Sequence, residues 1–306
     1  QKPPLQRCAL VGNSQQQLTD PNRGAVIDAF DFVMRLNQAP TEGFEAFVGN
    51  KTSMRLINAA WVQSYSRDVE HRGARGGRLT LEEGVTLMGS RTDPMRFSRL
   101  AQALARLRPD VTPLLLTRAG VNEIGDVLRA IKGRLEALRG MEYPGKGSPS
   151  SGFVGMFMLL QLCASVDIFG VGAGATSTSS WHYWERRNFG ESREFGLEPH
   201  HSFELEHDLA MVLAAAGLVK HHQVDSVIPS TIDGAGAANV VAPEILRLAK
   251  EKKKERIKAA REAEKVEKKR KEEELDRGEA EARAELGVMG NGATQPGGDS
   301  LKLDGP

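Results

Sequence analysis

His182 and Glu185 stand three residues apart, and His201 and Glu206 five apart, in the stretch WHYWERRNFGESREFGLEPHHSFELEHDLA. Histidine beside carboxylate first suggests zinc. There is no His-Glu-x-x-His here and no cysteine nearby, which argues against a metal site. An isolated histidine is usually a polar core or surface residue. These cluster in a loop-rich stretch flanked by Trp181, Tyr183, Trp184 and Phe203. Neutral imidazole is the natural general base for a hydroxyl near physiological pH.

Polar residues that could hold a ligand recur where apolar runs end. RCALVGNS, residues 7–14, reads as a short buried strand closing on Asn13 and Ser14. DFVMRLNQAP, residues 31–40, closes on Asn37 before a Pro-containing turn. Either asparagine alone reads as an ordinary turn residue. Converging over one sheet edge, the two would offer neutral amides suited to a ribose, a pyrimidine edge or a phosphate. In GSPSSGFVGMFMLLQLC, residues 147–163, Ser150 or Ser151 is placed as a helix N-cap, with Gly152 in the first turn. That helix is apolar nearly all round and must be buried. Its amino terminus offers backbone N–H groups, partial positive charge and two hydroxyls, either as an anion site or as the end of an ordinary capped core helix.

The elements that must position these residues follow from hydrophobic patterning. Strands are expected at CALVG, FVMRLN, SMRLIN, VTLMG, TPLLL, VDIFGVG and VDSVI, and helices at Pro94–Leu107, Val121–Leu138, Ser151–Leu162 and Phe203–Ala216. Strands alternating with helices predict an α/β fold with one largely parallel, Rossmann-like sheet, in which ligands bind at the carboxyl ends of strands. No glycine-rich phosphate loop follows the first strand.

Composition changes once, near Pro243. Residues 1–242 read as the folded domain. Residues 243–286 are almost all helix formers with balanced charge and too few apolar positions for a heptad seam. They read as a solvated helix, with a weak coiled coil or a partner-binding arm as the alternative. Residues 287–306, rich in Gly and Pro, read as a disordered tail.

A formal net charge of +1 gives no whole-molecule attraction to nucleic acid. No apolar run approaches the roughly 18 residues that a membrane span needs. The chain opens on Gln rather than Met, which reads as a fragment or processed form whose upstream signal or anchor would not be visible. The two cysteines, Cys8 and Cys163, cannot make a zinc site alone. By count they read as two buried thiols. A disulfide is the other reading, and it requires an oxidising compartment.

CALVGNS together with FVMRLNQAPTEGFEAFVGNKTSMRLIN resembles the long sialylmotif of eukaryotic sialyltransferases. PSSGFVGMFMLLQLCASVDIFGVGA resembles their short motif, HYWE their third and HSFELE their very short His-x4-Glu motif. All four occur in family order between about Cys8 and Glu206. The resemblance implies a single-sheet nucleotide-binding fold, a variant of the glycosyltransferase A type. It implies transfer of a sugar, with inversion, from a cytidine monophosphate (CMP) sugar to a glycan hydroxyl, with no metal or other cofactor. The chain has no Asp-x-Asp to hold a metal. Asn13, Ser14, Asn37, Ser150, Ser151 and Gly152 match positions lining the CMP pocket. Cys8 and Cys163 match the pair that ties the long motif to the short one, which turns the expectation to a disulfide. His201 would be the general base, with His200 a rival lacking the His-x4-Glu spacing, and His182 would stabilise the departing phosphate. Glu206 is expected to support loop and helix geometry. Asn50 heads an Asn-Lys-Thr glycosylation sequon but lies inside the long motif, so it is expected to be unmodified.

The partners implied are a CMP-sugar and a glycan on glycoprotein or glycolipid, with no nucleic acid. The setting implied is the Golgi lumen, with the membrane reached only through an anchor outside this chain. Residues 59–147, between the long and short motifs, are where the family varies and acceptors are read, and HRGARGGR within them reads as a mobile loop. Three alternatives stand beside a sialic acid transferase. One is a transferase for another CMP-activated acidic sugar. Another is a catalytically silent glycan-binding relative. The last is a nucleotide-dependent oxidoreductase, against which the missing Gly-x-Gly-x-x-Gly counts.

Overall fold

The apolar run Cys8–Val11 is solvent-free on both faces, as a strand at the centre of a covered parallel sheet must be. It belongs to β1 (Leu5–Val11), which pairs in parallel with β2 (Phe32–Leu36) on one side and β6 (Cys163–Phe169) on the other. The structure is a computed structural model that describes residues 5–72, 79–171, 182–185 and 201–222, with Pro243, Lys265 and Arg270 as single positions. β3 (Met54–Ile57), β4 (Thr86–Gly89), β5 (Thr112–Leu115) and β7 (Lys220–His222) complete a seven-stranded sheet of order β5-β4-β3-β2-β1-β6-β7. Every described pairing is parallel. The chain winds outward from β1 to β5 and then returns to add β6 on β1's other side. The strand order therefore reverses between β1 and β6, where an open α/β sheet forms a ligand crevice at its carboxyl edge.

The helices start and stop where local chemistry directs. α1 (Arg23–Asp28), α2 (Glu45–Val48) and α3 (Ala59–Arg72) follow the first three strands. α4 (Pro94–Leu107) is capped by Asp93, which accepts from Arg96 N–H at 2.8 Å, and has proline in its first turn. α5 (Arg118–Arg139) is capped by Thr117 and ends at Gly140 in the left-handed conformation. α6 (Ser151–Leu162) and α7 (Phe203–Ala215) complete the set. α6 runs directly into β6, so its amino terminus stands at the carboxyl edge of the sheet.

One face of the sheet packs Leu10, Met34 and Leu56 against α5, α6 and α7, in a cluster that includes Phe153, Phe157, Leu205 and Leu209. The opposite face buries Val11, Val33 and Phe169 with Ile27, Phe30 and Tyr183. The expected pairing is present: Cys8 and Cys163 form a disulfide across 155 residues, tying β1 to the junction of α6 and β6.

The first six expected strands appear, the sixth starting earlier, at Cys163, because α6 ends there. The expected strand VDSVI, residues 224–228, lies outside the described residues. The seventh described strand is Lys-His-His, a sequence with no β-forming signal, held by pairing with Asp167–Phe169. The four expected helices are found with nearly the expected bounds. The short α1 and α2 and the longer α3 were not anticipated. Residues 73–78 of the glycine-rich basic stretch lie outside the described residues.

The chain divides into Gln1–Ala249 and Lys250–Pro306. In the second unit Lys265 and Arg270 are helical. No described helix is long and apolar enough to cross a membrane.

Candidate active site

Gly12 carries β1 into the crevice and donates to Phe169 O at 2.7 Å. A Cβ there would fall 2.2 Å from Gly170 O, so only glycine allows the two strand tips this close. Ser14 makes the turn that follows. Its N–H donates to Gly170 O, and its hydroxyl accepts from Gln16 N–H at 3.3 Å to cap a short 3-10 helix over Gln15–Thr19. Between them, Asn13 keeps Oδ1 buried with no hydrogen-bond partner among the described residues. A buried amide oxygen without a partner costs free energy unless a ligand donates to it.

Asn37, at the tip of β2, adopts φ 53°, one of two described non-glycine residues in the left-handed region. Asparagine tolerates that conformation better than most residues. Arg55, buried on β3, holds it by donating to Asn37 O at 2.8 Å and Ala39 O at 3.1 Å. Arg55 is paired in turn with Glu82, which stays ionised: burial raises its pKa, but the Arg55 charge and the hydrogen bonds from Arg55 and Thr52 together bring it below the usual carboxylate range. Asn37 Oδ1 accepts from Asn58 N–H at 3.2 Å. Asn58 ends β3 and caps the first turn of α3 through Trp61 N–H. This third strand-end asparagine was missed, although the same apolar-run-then-Asn pattern marks it in SMRLIN.

The amino terminus of α6 lies beside the crevice. A Cβ on Gly152 would come within 3.0 Å of Val171, just past β6, and 3.7 Å of Leu36, at the end of β2. Ser150 is the N-cap, accepting from Phe153 N–H at 3.2 Å. Its own N–H meets Glu206 Oε1 at 2.7 Å, and its hydroxyl meets Oε2 at 2.5 Å. Glu206 is buried; burial lifts its pKa to about 7, against the opposing pull of the two Ser150 contacts and the Arg91 charge. Arg91, just beyond β4, donates to Pro149 O at 2.6 Å and to Ser151 Oγ at 2.7 Å. Neither the grip of Glu206 on Ser150 nor that of Arg91 on Ser151 has a local sequence signal, because the partners are 56 and 60 residues apart.

Both histidines come to this edge. His201 places Nδ1 2.8 Å from Ser148 O. A carbonyl can only accept, so Nδ1 carries a hydrogen, and in the neutral ring Nε2 then holds the lone pair. The backbone of His201 also packs on Gly145, where a Cβ would be 2.3 Å from His201 O. His182 is brought to the tip of β1 by its neighbour, since Tyr183 N–H donates to Asn13 O at 3.0 Å. Its Nδ1 lies 2.7 Å from Glu185 Oε1, and its ring stacks on Trp184 at 4.5 Å between centroids. Burial pulls the His182 pKa below 6.5, with Glu185 acting in the opposite direction. His200 lies outside the described residues.

The structure therefore brings all eight expected site residues to the carboxyl edge. Ser14 and Ser150 spend hydrogen-bonding capacity on local structure there, and Asn37 Oδ1 is likewise engaged. Thr92 Oγ1, Trp184 Nε1 and Ser202 Oγ, each adjacent in sequence to a residue of this edge, are also buried without a partner among the described residues. Neutral amides, a helix amino terminus and two imidazoles gathered at one sheet edge are groups suited to a phosphorylated ligand and to taking a proton from a hydroxyl.

Residues 1–218 match the family model described as glycosyltransferase family 29 (sialyltransferase). CMP-N-acetylneuraminate-beta-galactosamide-alpha-2,3-sialyltransferase 1 of Sus scrofa is 29% identical over 217 residues, covering 70% of this chain and 57% of the relative. The corresponding alpha-2,3-sialyltransferase 2 of Rattus norvegicus is 30% identical over 217 residues, 70% of this chain and 56% of its own length. The chain thus spans a little over half the length of these curated relatives. The crystal structure of a mammalian sialyltransferase aligns with 72% of this chain and 70% of its own, at 25% identity and a TM-score of 0.49.

Proposed function

Because the chain belongs to glycosyltransferase family 29, the sialyltransferases, we propose that it moves sialic acid from CMP-sialic acid to a hydroxyl of a glycan by a single inverting displacement without a metal. The observation that carries this reading is the tether from His201 Nδ1 to Ser148 O, two residues before the α6 cap. It links the proposed base to the element that would receive the leaving phosphate.

In this mechanism His201 Nε2 takes the proton of the acceptor hydroxyl as its oxygen bonds to the anomeric carbon. The bond from that carbon to the phosphate oxygen breaks on the opposite face, and CMP departs with the electron pair. Attack opposite the leaving group inverts the centre. The nucleoside rests over β1 and β2, with Asn13 Oδ1 as acceptor and Asn37 beside it. The negative charge that grows on the phosphate meets the N–H groups of the first turn of α6, the Ser151 hydroxyl and His182. A leaving monophosphate carries less charge than a diphosphate, so these fixed dipoles stand in for a metal ion. Ser14, Ser150 and Gly152 shape the pocket more than they bind. The Cys8–Cys163 disulfide accords with work in the oxidising Golgi lumen.

The test is incubation with CMP-sialic acid and an array of glycans in the presence of a chelator. Release of CMP together with sialylated product is expected, and His201→Ala should lower the rate by about 10²- to 10⁴-fold, the usual contribution of a general base. CMP release that needs an added divalent ion, or no product on any glycan, would overturn the reading.

A further inference from the structure

Arg91 stands just after β4 with φ 56°, a backbone conformation disfavoured for any residue with a Cβ. Its guanidinium is fastened to the approach of α6, Nη1 to Pro149 O and Nη2 to Ser151 Oγ. A guanidinium has five donors and no acceptor. At this contact Ser151 Oγ therefore accepts, and its own hydrogen must point elsewhere, yet it finds no acceptor among the described residues. Ser150 differs, since its hydroxyl is already engaged by Phe153 N–H and Glu206. Of the two adjacent serines, only Ser151 is prepared to donate to an incoming anion.

We propose that Arg91 is a positioning residue for the phosphate of the nucleotide donor, turning the Ser151 hydroxyl into a donor and adding a full positive charge to the partial charge of the helix end. This rests on the CMP-sugar reading above and deepens it. Electrostatics point the same way. Among the described groups, Glu206 is the acid whose charge acts on Arg91, and without the guanidinium any negative charge on Glu206 would repel a phosphate held at the same helix end.

The test measures binding of CMP and of cytidine, which lacks the phosphate, by titration calorimetry. Arg91→Gly keeps the left-handed backbone comfortable and removes only the side chain. It is expected to weaken CMP by about 10- to 100-fold, the value of a charge-assisted hydrogen bond, and to leave cytidine within about twofold. Ser151→Ala should show the same selective loss, and the double variant should lose less than the product of the two, as partners in one contact do. Arg91→Lys should recover part of the CMP affinity through charge alone. Equal weakening of CMP and cytidine, or unchanged CMP affinity, in Arg91→Gly would overturn the proposal. If that variant does not fold, the CMP-to-cytidine ratio of Ser151→Ala decides on the same terms. An unmodified protein that fails to bind CMP at all overturns the donor reading itself, and the proposal with it.

Discussion

Ser150 and Glu206 meet twice: the main-chain N–H of Ser150 reaches one carboxyl oxygen of Glu206, and its hydroxyl reaches the other. The pair joins the first turn of α7 to the cap of α6, and so joins the loop carrying His201 to the proposed phosphate cradle. Glutamate at this position is a buried acid with a task in geometry.

Its protonation gives the first prediction. Burial raises the folded pKa of Glu206 from the usual 4.5 to about 7. The folded state thus binds a proton that the unfolded state has already released over that interval. This contribution to stability is fully present below pH 4.5 and is lost as pH rises through about 7, a change on the order of 3 kcal/mol. Glu206→Gln mimics the neutral acid, with an acceptor for Ser150 N–H and a donor for its hydroxyl. Urea unfolding from pH 4.5 to 8 should show the slope in the parent protein and a flatter profile in the variant. Equal slopes would refute the assignment.

His182 yields a prediction about ligand binding. With its pKa held below 6.5, its imidazole is neutral at pH 7, and Nδ1 at 2.7 Å from Glu185 carries the hydrogen. Nε2 can donate to a phosphate only after taking up a proton. CMP binding at pH 7 should therefore be accompanied by net proton uptake, seen as a dependence of the calorimetric enthalpy on the buffer's heat of ionisation. His182→Gln should remove that dependence. An enthalpy indifferent to buffer would show that His182 does not face the phosphate.

The disulfide spans 155 residues and joins the strand leading to Asn13 to the end of the helix bearing Ser151. Replacing both Cys8 and Cys163 with Ala should cost roughly 2–5 kcal/mol in urea unfolding. Reductant should destabilise the parent protein by a similar amount and leave the double variant unaffected.

Gly12→Ala tests the close approach of the two strand tips. The new methyl would sit 2.2 Å from a backbone oxygen, which cannot rotate away. A loss of at least about 3 kcal/mol, or failure to accumulate as folded protein, is expected. Gly152→Ala, whose Cβ meets the side chain of Val171 at 3.0 Å, should fold and lose CMP affinity more than stability.

How much of this was legible beforehand depended on range. α6 announced itself through Ser-Ser-Gly before an apolar run, and β1 through four apolar residues before Gly-Asn-Ser, because those signals are local. The disulfide was legible only through family resemblance, since the cysteine count alone favoured free thiols. Arg91 was invisible: Gly-Ser-Arg-Thr reads as a turn, and only folding sets it against Ser151. Asn58 escaped although its pattern matched Asn13 and Asn37, because an asparagine that caps a helix looks the same in sequence as one that lines a pocket. β7 escaped because Lys-His-His is a strand through its neighbours rather than its own preferences.

The place of β1 in the sheet governs how the molecule can be made. Its partner β2 leaves the ribosome soon after it, whereas β6 emerges about 150 residues later. Until β6 pairs, the β1 edge that it covers, apolar through Cys8–Val11, has no partner and is open to pairing with another chain. Pairing of β6 closes that border and places the two sulfurs within bonding reach. Productive synthesis thus depends on what shelters the border in the interval, and a chain cut short before β6 would be sticky as well as inert.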